Sequence, residues 1–250
     1  MGFVSVSFEA TTHERLLRDG VQLSFKGRFD LIDSFAVEPP CVVQAQIAPT
    51  NTFRFGAFSA SYGGRLKNVE VGRYCSLAPG LQVGWDEHPV DWVTSSMAAY
   101  VADQHGWETF LNRRRPVTQR FDSQRGVTII ENDVWTGLNV FIRSGVTIGT
   151  GSIIGANSTV LHNIPPYSLA AGNPARVKRL RFKENIIEQM LSLQWWRYNI
   201  YDFRQDMLIL PENFIPYLKD EISSQRLFPY EPGWRGPKEL KIEMPQPDFS

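Results

Sequence analysis

The residue best suited to chemistry in this chain is His88. Asp91 follows it three residues later and Glu87 precedes it, in a stretch that also carries Trp85, Trp92, Tyr100, His105 and Trp107. A neutral imidazole with a pKa near the working pH can take the proton of a hydroxyl as its oxygen attacks, so His88 is the candidate catalytic base. Asp91 is a candidate to orient the imidazole or to shape the loop, and Glu87 to contact His88 or a substrate. Trp85, Trp92, Tyr100 and Trp107 can stack on a sugar ring or an apolar scaffold. With His105 among them they are candidate substrate contacts. His13 lies in a polar N-terminal stretch. No Cys/His or His/carboxylate cluster has the spacing of a metal site, so no catalytic metal is expected. Cys41 and Cys75 are too few for a disulfide framework. Arg113, Arg114, Arg115 and Arg120 form a basic cluster, suited equally to a phosphate contact or to a solvated loop.

The elements that must position these residues show themselves as a period of six. Every sixth residue from Ile130 reads Ile130, Thr136, Ile142, Ile148, Ile154 and Val160, and four places after each come Val134, Val140, Val146, Ser152, Ser158 and Ile164. A helix repeats near 3.6 and a strand near 2, so neither alone explains a strict six. Hexapeptide repetition is the mark of a parallel β-helix in which each hexad is a short strand and a turn. Three hexads close one triangular coil, which places Ile130 under Ile148 and Thr136 under Ile154. The glycines directly after the clock residues (Gly137, Gly149, Gly155) are expected to turn the corners. The same pattern runs earlier through Val71, Leu77 and Val83, with Cys75 at a small interior position as a buried hydrophobe. It then vanishes and resumes out of phase at Ile130, so residues 85–126 are an insertion. Its aromatic content argues against disorder, and a long loop in a compact domain is usually functional.

The rest of the chain bounds the reading. Lysine plus arginine equals aspartate plus glutamate, 26 each, so no global field draws the protein to nucleic acid or an anionic membrane. Residues 144–175 lack charged side chains, but their period of six and their Gly, Ser, Thr, Asn and Pro content make them a β-helix wall and not a membrane span. Met1–Ala10 has no signal-peptide pattern, and a cytoplasmic location is expected by default. The expected organisation is an N-terminal cap over 1–45 and a β-helix over 46–175. C-terminal helices over 176–226 follow, one running from about Lys183 and one from Pro211 to about Ser223, and then an extended tail over 227–250.

Six motifs in order then carry a resemblance: Val71-Gly-Arg-Tyr-Cys-Ser-Leu-Ala-Pro-Gly80, His88-Pro-Val-Asp91, Glu131-Asn-Asp-Val-Trp-Thr-Gly137, Ile164-Pro-Pro-Tyr-Ser168, Gly172-Asn-Pro-Ala-Arg176 and Gln194-Trp-Trp196. Over residues 65–210 the chain resembles the hexapeptide-repeat acyltransferases, specifically the xenobiotic (chloramphenicol and streptogramin) O-acetyltransferase branch. The resemblance implies an all-β fold, a left-handed parallel β-helix with an extended inserted loop and a C-terminal α-helical segment. It also implies a homotrimer with active sites between subunits, acetyl-CoA as co-substrate, and His88 as base. The family's coenzyme contacts fall on Trp135, Leu138, Ala156, Leu161, His162, Arg176 and Arg179. Guanidinium suits the coenzyme's phosphates. Glu87 stands where the branch has asparagine and residues 95–127 are unmatched. Both departures lie on the acceptor side, so the acceptor is read as a hydroxylated small molecule, antibiotic-like, or a sugar. N-acyl transfer to an amino sugar, a non-catalytic trimeric scaffold and a γ-carbonic-anhydrase-like metalloenzyme remain as alternatives. The spacing of His88 and Asp91 and the long insertion favour O-transfer. The absence of three histidines at ligand spacing counts against the metalloenzyme, and His88 against the scaffold.

Overall fold

A computed structural model describes residues 3–8, 10–25, 27–48, 51–115 and 119–239. The end of the expected tail, 240–250, lies outside them. The repeats build a left-handed parallel β-helix with three walls. The first wall stacks Phe35–Val37, Phe53–Phe55, Val69–Val71, Thr128–Ile130 and Thr147–Ile148. The second, the longest, runs from Val21–Leu23 through Ser76–Leu77, Trp135–Thr136 and Ile153–Ile154 to Ser168–Ala171, and Arg176–Leu180 closes it as an antiparallel edge. The third stacks Gln46–Ile47, Arg65–Leu66, Gln82–Val83, Phe141–Ile142 and Thr159–Val160.

The register is the one the period of six requires. Ile130 pairs with Ile148, Thr136 with Ile154 and Ile142 with Val160. All six side chains point inward and are fully buried. So are the residues four places on, Val134, Val140, Val146, Ser152 and Ser158, with Ile164 nearly so. Each such aliphatic side chain contributes roughly 1.5–3 kcal/mol by leaving water. Cys75 is 1% exposed, and burial pushes its thiol up to about 12.

The corners differ from the expectation. The turning residue is the third after the clock residue, not the first. Asp133, Asn139, Gly145, Gly151 and Asn157 all have φ between 55° and 73°. The glycine directly after the clock residue does a different job. A Cβ on Gly137 would stand 2.6 Å from the backbone nitrogen of Ala156, and one on Gly149 2.5 Å from that of Pro166. These glycines let successive coils approach each other, and the left-handed residues turn the chain.

The parallel stack also begins well before residue 46. Val21–Leu23 pairs with Cys41–Val43, which pairs with Ser59–Ser61. Irregular spacing between these early strands hides the period in the sequence, although the hydrogen-bonded ladder is continuous. What lies ahead of it is a strand, Phe3–Phe8, antiparallel to Gly27–Ile32, and helix α1, Ala10–Arg18, whose Leu16 is fully buried.

Each corner of the triangle carries a different load. The corner between first and second walls, lined by Phe58, Tyr74, Asp133, Gly151 and Tyr167, receives the C-terminal segment. Tyr74 donates its hydroxyl to the Tyr198 carbonyl at 2.6 Å and lies 5.0 Å from the Trp195 ring, and Arg181 pairs with Asp133 at 3.1 Å. Trp195 and Trp196 thus belong to packing. Among the described residues the insertion carries the short helix α2, Trp107–Phe110; helices α3, Glu184–Leu193, and α4, Pro211–Ser223, follow the coils. Beyond α4 the chain runs extended, and Arg235 makes two backbone hydrogen bonds with Val37. The insertion leaves at the corner between third and first walls. The corner between second and third walls carries neither.

Candidate active site

The insertion departs after Gly84, whose amide still bonds the Ile142 carbonyl at 3.2 Å, and returns at Thr128, whose amide bonds the Asn68 carbonyl at 2.9 Å. Its two ends are tied into a neck. The Asp86 carboxylate pairs with Lys67 and accepts from Ser123 Oγ at 3.0 Å and Gln124 Nε2 at 2.7 Å. Burial would push this carboxyl up, but the hydrogen bonds from Gln124, Lys67 and Ser123 outweigh it and hold it below the usual carboxylate range. Glu87 bonds through its backbone to the Ser123 carbonyl at 2.8 Å, and its carboxylate pairs with Arg125 and, at 3.7 Å, with Arg143. Arg143 sits on a coil, so Glu87 fastens the neck to the β-helix. The next residue out is His88, positioned by a rigid base.

The imidazole of His88 is held by two groups. Nδ1 lies 2.7 Å from the Ser95 carbonyl oxygen and 3.1 Å from the Tyr100 hydroxyl. A carbonyl can only accept, so Nδ1 carries the proton and the Nε2 lone pair is free. That is the tautomer a general base needs. Asp91, expected to orient the ring or shape the loop, is exposed, and the Ser95 backbone occupies the orienting position.

His88 stands between two cavities. One, of about 630 Å³, is lined by Trp85, Asp86, Glu87, Met97, Tyr100 and Phe121 among others. The other, of about 440 Å³, is lined by Ser95, Ser96, Met97, Gln104, His105 and Trp107. Of the sequence candidates for substrate contact, Trp85 and Tyr100 line the first cavity, and His105 and Trp107 the second. Trp92 packs behind: its ring is T-shaped to Tyr100 at 5.9 Å and to Phe121 at 5.9 Å. Sequence reasoning missed Ser95, Phe121 and Asp86. Ser95 acts through a carbonyl, which every residue has. Phe121 and Asp86 carry side chains a pattern search could weigh, but only the closed neck reveals them.

Of the candidate coenzyme contacts, Leu138 and Ala156 lie on the corner the C-terminal segment and the insertion leave bare, Trp135 and Arg179 on the second wall, and Leu161 and His162 on the corner the insertion leaves from. Leu138 and Ala156 occupy equivalent places on successive coils and are both exposed, and the Asn157 amide bonds the Leu138 carbonyl at 2.8 Å. Residues 172–175 continue the column: Thr159 N bonds the Gly172 carbonyl, and Ala175 N the Thr159 carbonyl. Arg176 follows at its end. Trp135, 53% exposed, starts a row on the outside of the second wall that runs through Ile153 and Leu169 to Arg179. Leu161 and His162 follow the last strand of the third wall. Arg176 and Arg179 are exposed, and neither makes an ion pair among the described residues. This column and the cavities at His88 therefore stand on different corners of the same chain, across the third wall. Among the described residues no group of three His, Cys, Asp or Glu side chains could hold a metal ion. No described helix is long and apolar enough to cross a membrane.

The family model "Bacterial transferase hexapeptide (six repeats)" matches residues 128–162. The chain is 36% identical over 142 residues to a probable macrolide acetyltransferase of Lysinibacillus sphaericus, covering 56% of this chain and 75% of that one. It is 29% identical over 143 residues to a chloramphenicol acetyltransferase of Klebsiella aerogenes, covering 56% of this chain and 64%, just under two thirds, of the relative. Among solved structures, a hexapeptide-repeat acetyltransferase of Vibrio cholerae complexed with acetyl-CoA is similar over 59% of this chain and 70% of that one, at 26% identity and a TM-score of 0.41.

Proposed function

The chain belongs to the hexapeptide-repeat acetyltransferases, and from that premise we propose that it transfers acetyl from acetyl-CoA to a hydroxyl of a small molecule, antibiotic-like or sugar. The observation that carries the reading is the Ser95 carbonyl at Nδ1 of His88, which in the neutral imidazole puts the lone pair on Nε2, beside two cavities. His88 takes the hydroxyl proton as the acceptor oxygen bonds to the thioester carbonyl carbon. The carbon–sulfur bond then breaks, and His88 returns the proton to the leaving sulfur. No covalent enzyme intermediate is needed, since the thioester is already activated. Acetyl-CoA is a co-substrate, and residues of the bare corner and of the walls beside it suit it. Ala156 is small where the pantetheine chain passes, Trp135 and Leu138 offer apolar cover, and Leu161 and His162 flank the exit. Arg176 and Arg179, which make no ion pair among the described residues, present guanidinium groups to its phosphates.

Because the base and the coenzyme column stand on different corners, the working site takes His88 from one subunit and the column from its neighbour. A homotrimer related by a three-fold axis supplies this arrangement three times. Asp91 shapes the outer loop, and Glu87 fixes the neck.

The test is thiol release from acetyl-CoA against a panel of chloramphenicol, a streptogramin A, a macrolide, and several sugars and amino sugars, with His88→Ala alongside. Acceptor-dependent release that falls by roughly two to four orders of magnitude in the variant is expected. Release that survives in His88→Ala would remove the base from this role. Transfer only to amino groups would make the protein an N-acyltransferase.

A further inference from the structure

Tyr100 is more than a wall of the cavity. Its ring is almost fully buried, wedged T-shaped against Trp92 at 5.9 Å and tilted against Phe121 at 5.3 Å, so its hydroxyl cannot swing away from His88. Hydrogen-bond accounting then fixes what that hydroxyl does. The Ser95 carbonyl at 2.7 Å obliges Nδ1 of His88 to carry a proton. That N–H also faces the Tyr100 oxygen at 3.1 Å, so the phenol accepts there and keeps its own proton. No other partner for this hydroxyl exists among the described residues. The donor is unspent, and it lines the larger cavity, whose other walls include Trp85, Met97, Val101 and Phe121.

A donor left unspent in a cavity walled by both apolar and charged side chains favours a ligand that satisfies it over one that does not. We propose that Tyr100 reads the acceptor: its hydroxyl donates to a second oxygen of the substrate, close to the hydroxyl that His88 deprotonates. The site then selects hydroxyl groups carried beside another oxygen, as in polyols, glycosides and oxygen-rich lactones, over isolated alcohols. This rests on the proposed acetyl transfer and deepens it by naming the chemical class. Tyr100 also links recognition to catalysis, since the oxygen that accepts from His88 is the one that donates to substrate. A bound acceptor polarises the phenol and strengthens the hydrogen bond that holds the imidazole.

The experiment compares two small acceptors, cyclohexane-1,2-diol and cyclohexanol, as substrates for acetyl transfer by the full-length protein, its Tyr100→Phe variant and its His88→Ala variant. Phenylalanine keeps the ring packed against Trp92 and Phe121 and removes only the hydroxyl. The unaltered protein is expected to favour the diol by roughly tenfold or more in kcat/KM per hydroxyl. In Tyr100→Phe that ratio falls towards one, because the diol loses far more than the alcohol. A purely structural role would lower both rates together and leave the ratio intact, and that result overturns the proposal. So does an unaltered protein that treats the two acceptors alike or acetylates neither. Failure of the underlying reading looks different: transfer to either probe would then persist in His88→Ala.

Discussion

Two variants that are each inactive should restore activity when they share an oligomer. His88→Ala removes the base, and Ala156→Trp fills the bare corner where the coenzyme column runs. The two positions lie on different corners of one chain, with the third wall between them, and on the proposed reading each working site draws His88 from one subunit and Ala156 from the next. Ala156 is exposed on its coil, so the larger side chain blocks the groove without entering the core. Each variant alone has one defect in every site. In a randomly mixed oligomer at equal dose, half the sites have an intact His88 donor, and half of those face an intact Ala156. Activity therefore returns to about one quarter of the unaltered level in the unselected mixture, and to about one third in doubly tagged trimers, each of which holds one intact site of three. The assay is thiol release from oligomers purified through two different affinity tags, one on each variant, with singly expressed variants as controls. Their residual rates should lie at least roughly a hundredfold down. Doubly tagged oligomers that show no recovery would refute the shared site, because base and column would then have to meet within one chain.

Other outcomes follow from single positions. Thr136 occupies a clock position between Leu77 and Ile154, is fully buried, and its hydroxyl has no hydrogen-bond partner among the described residues. Thr136→Val should raise stability by about 1–2 kcal/mol, seen as a higher urea midpoint with an unchanged slope; a lower midpoint would mean the hydroxyl is satisfied. Asp86 is held ionised by its neck partners, so its stabilisation is complete above the ordinary carboxylate value of about 3.9 and is lost as pH falls through the lower folded value. Asp86→Asn should accordingly loosen the neck at neutral pH, raising the rate of tryptic cleavage among Arg113, Arg114, Arg115 and Arg120 several-fold. An unchanged digest would remove Asp86 from that role.

Much of the scaffold was legible in the residues alone, for a physical reason. In a parallel β-helix every inward residue stacks on its counterpart one coil away, so burial is written into the chain at a fixed interval. Ile130, Thr136, Ile142, Ile148, Ile154 and Val160 disclose it. The insertion shows as a slip of phase after Val83, and α4 as a helix opened by Pro211. The coils ahead of residue 46 did not show, because the links between Val21, Phe35 and Cys41 are uneven while the ladder that joins them is not. Nor did the turning residue, since Phe58, Tyr74, Asp133, Asn139 and Gly145 all fill it and share a backbone angle, not a chemistry.

For the site, residue type and spacing marked His88 and the aromatic loop around it. Only the tertiary structure decided that its ring is held by the Ser95 carbonyl, a group no sequence pattern can single out, and that Glu87 faces Arg125 and Arg143. It also decided which of the three corners carries the helices, which carries the loop and which stays bare. That division depends on where a long insertion leaves a repeating coil and which wall the C-terminal segment packs against. Both are contacts between parts of the chain far apart in sequence, and local residue preferences do not encode them.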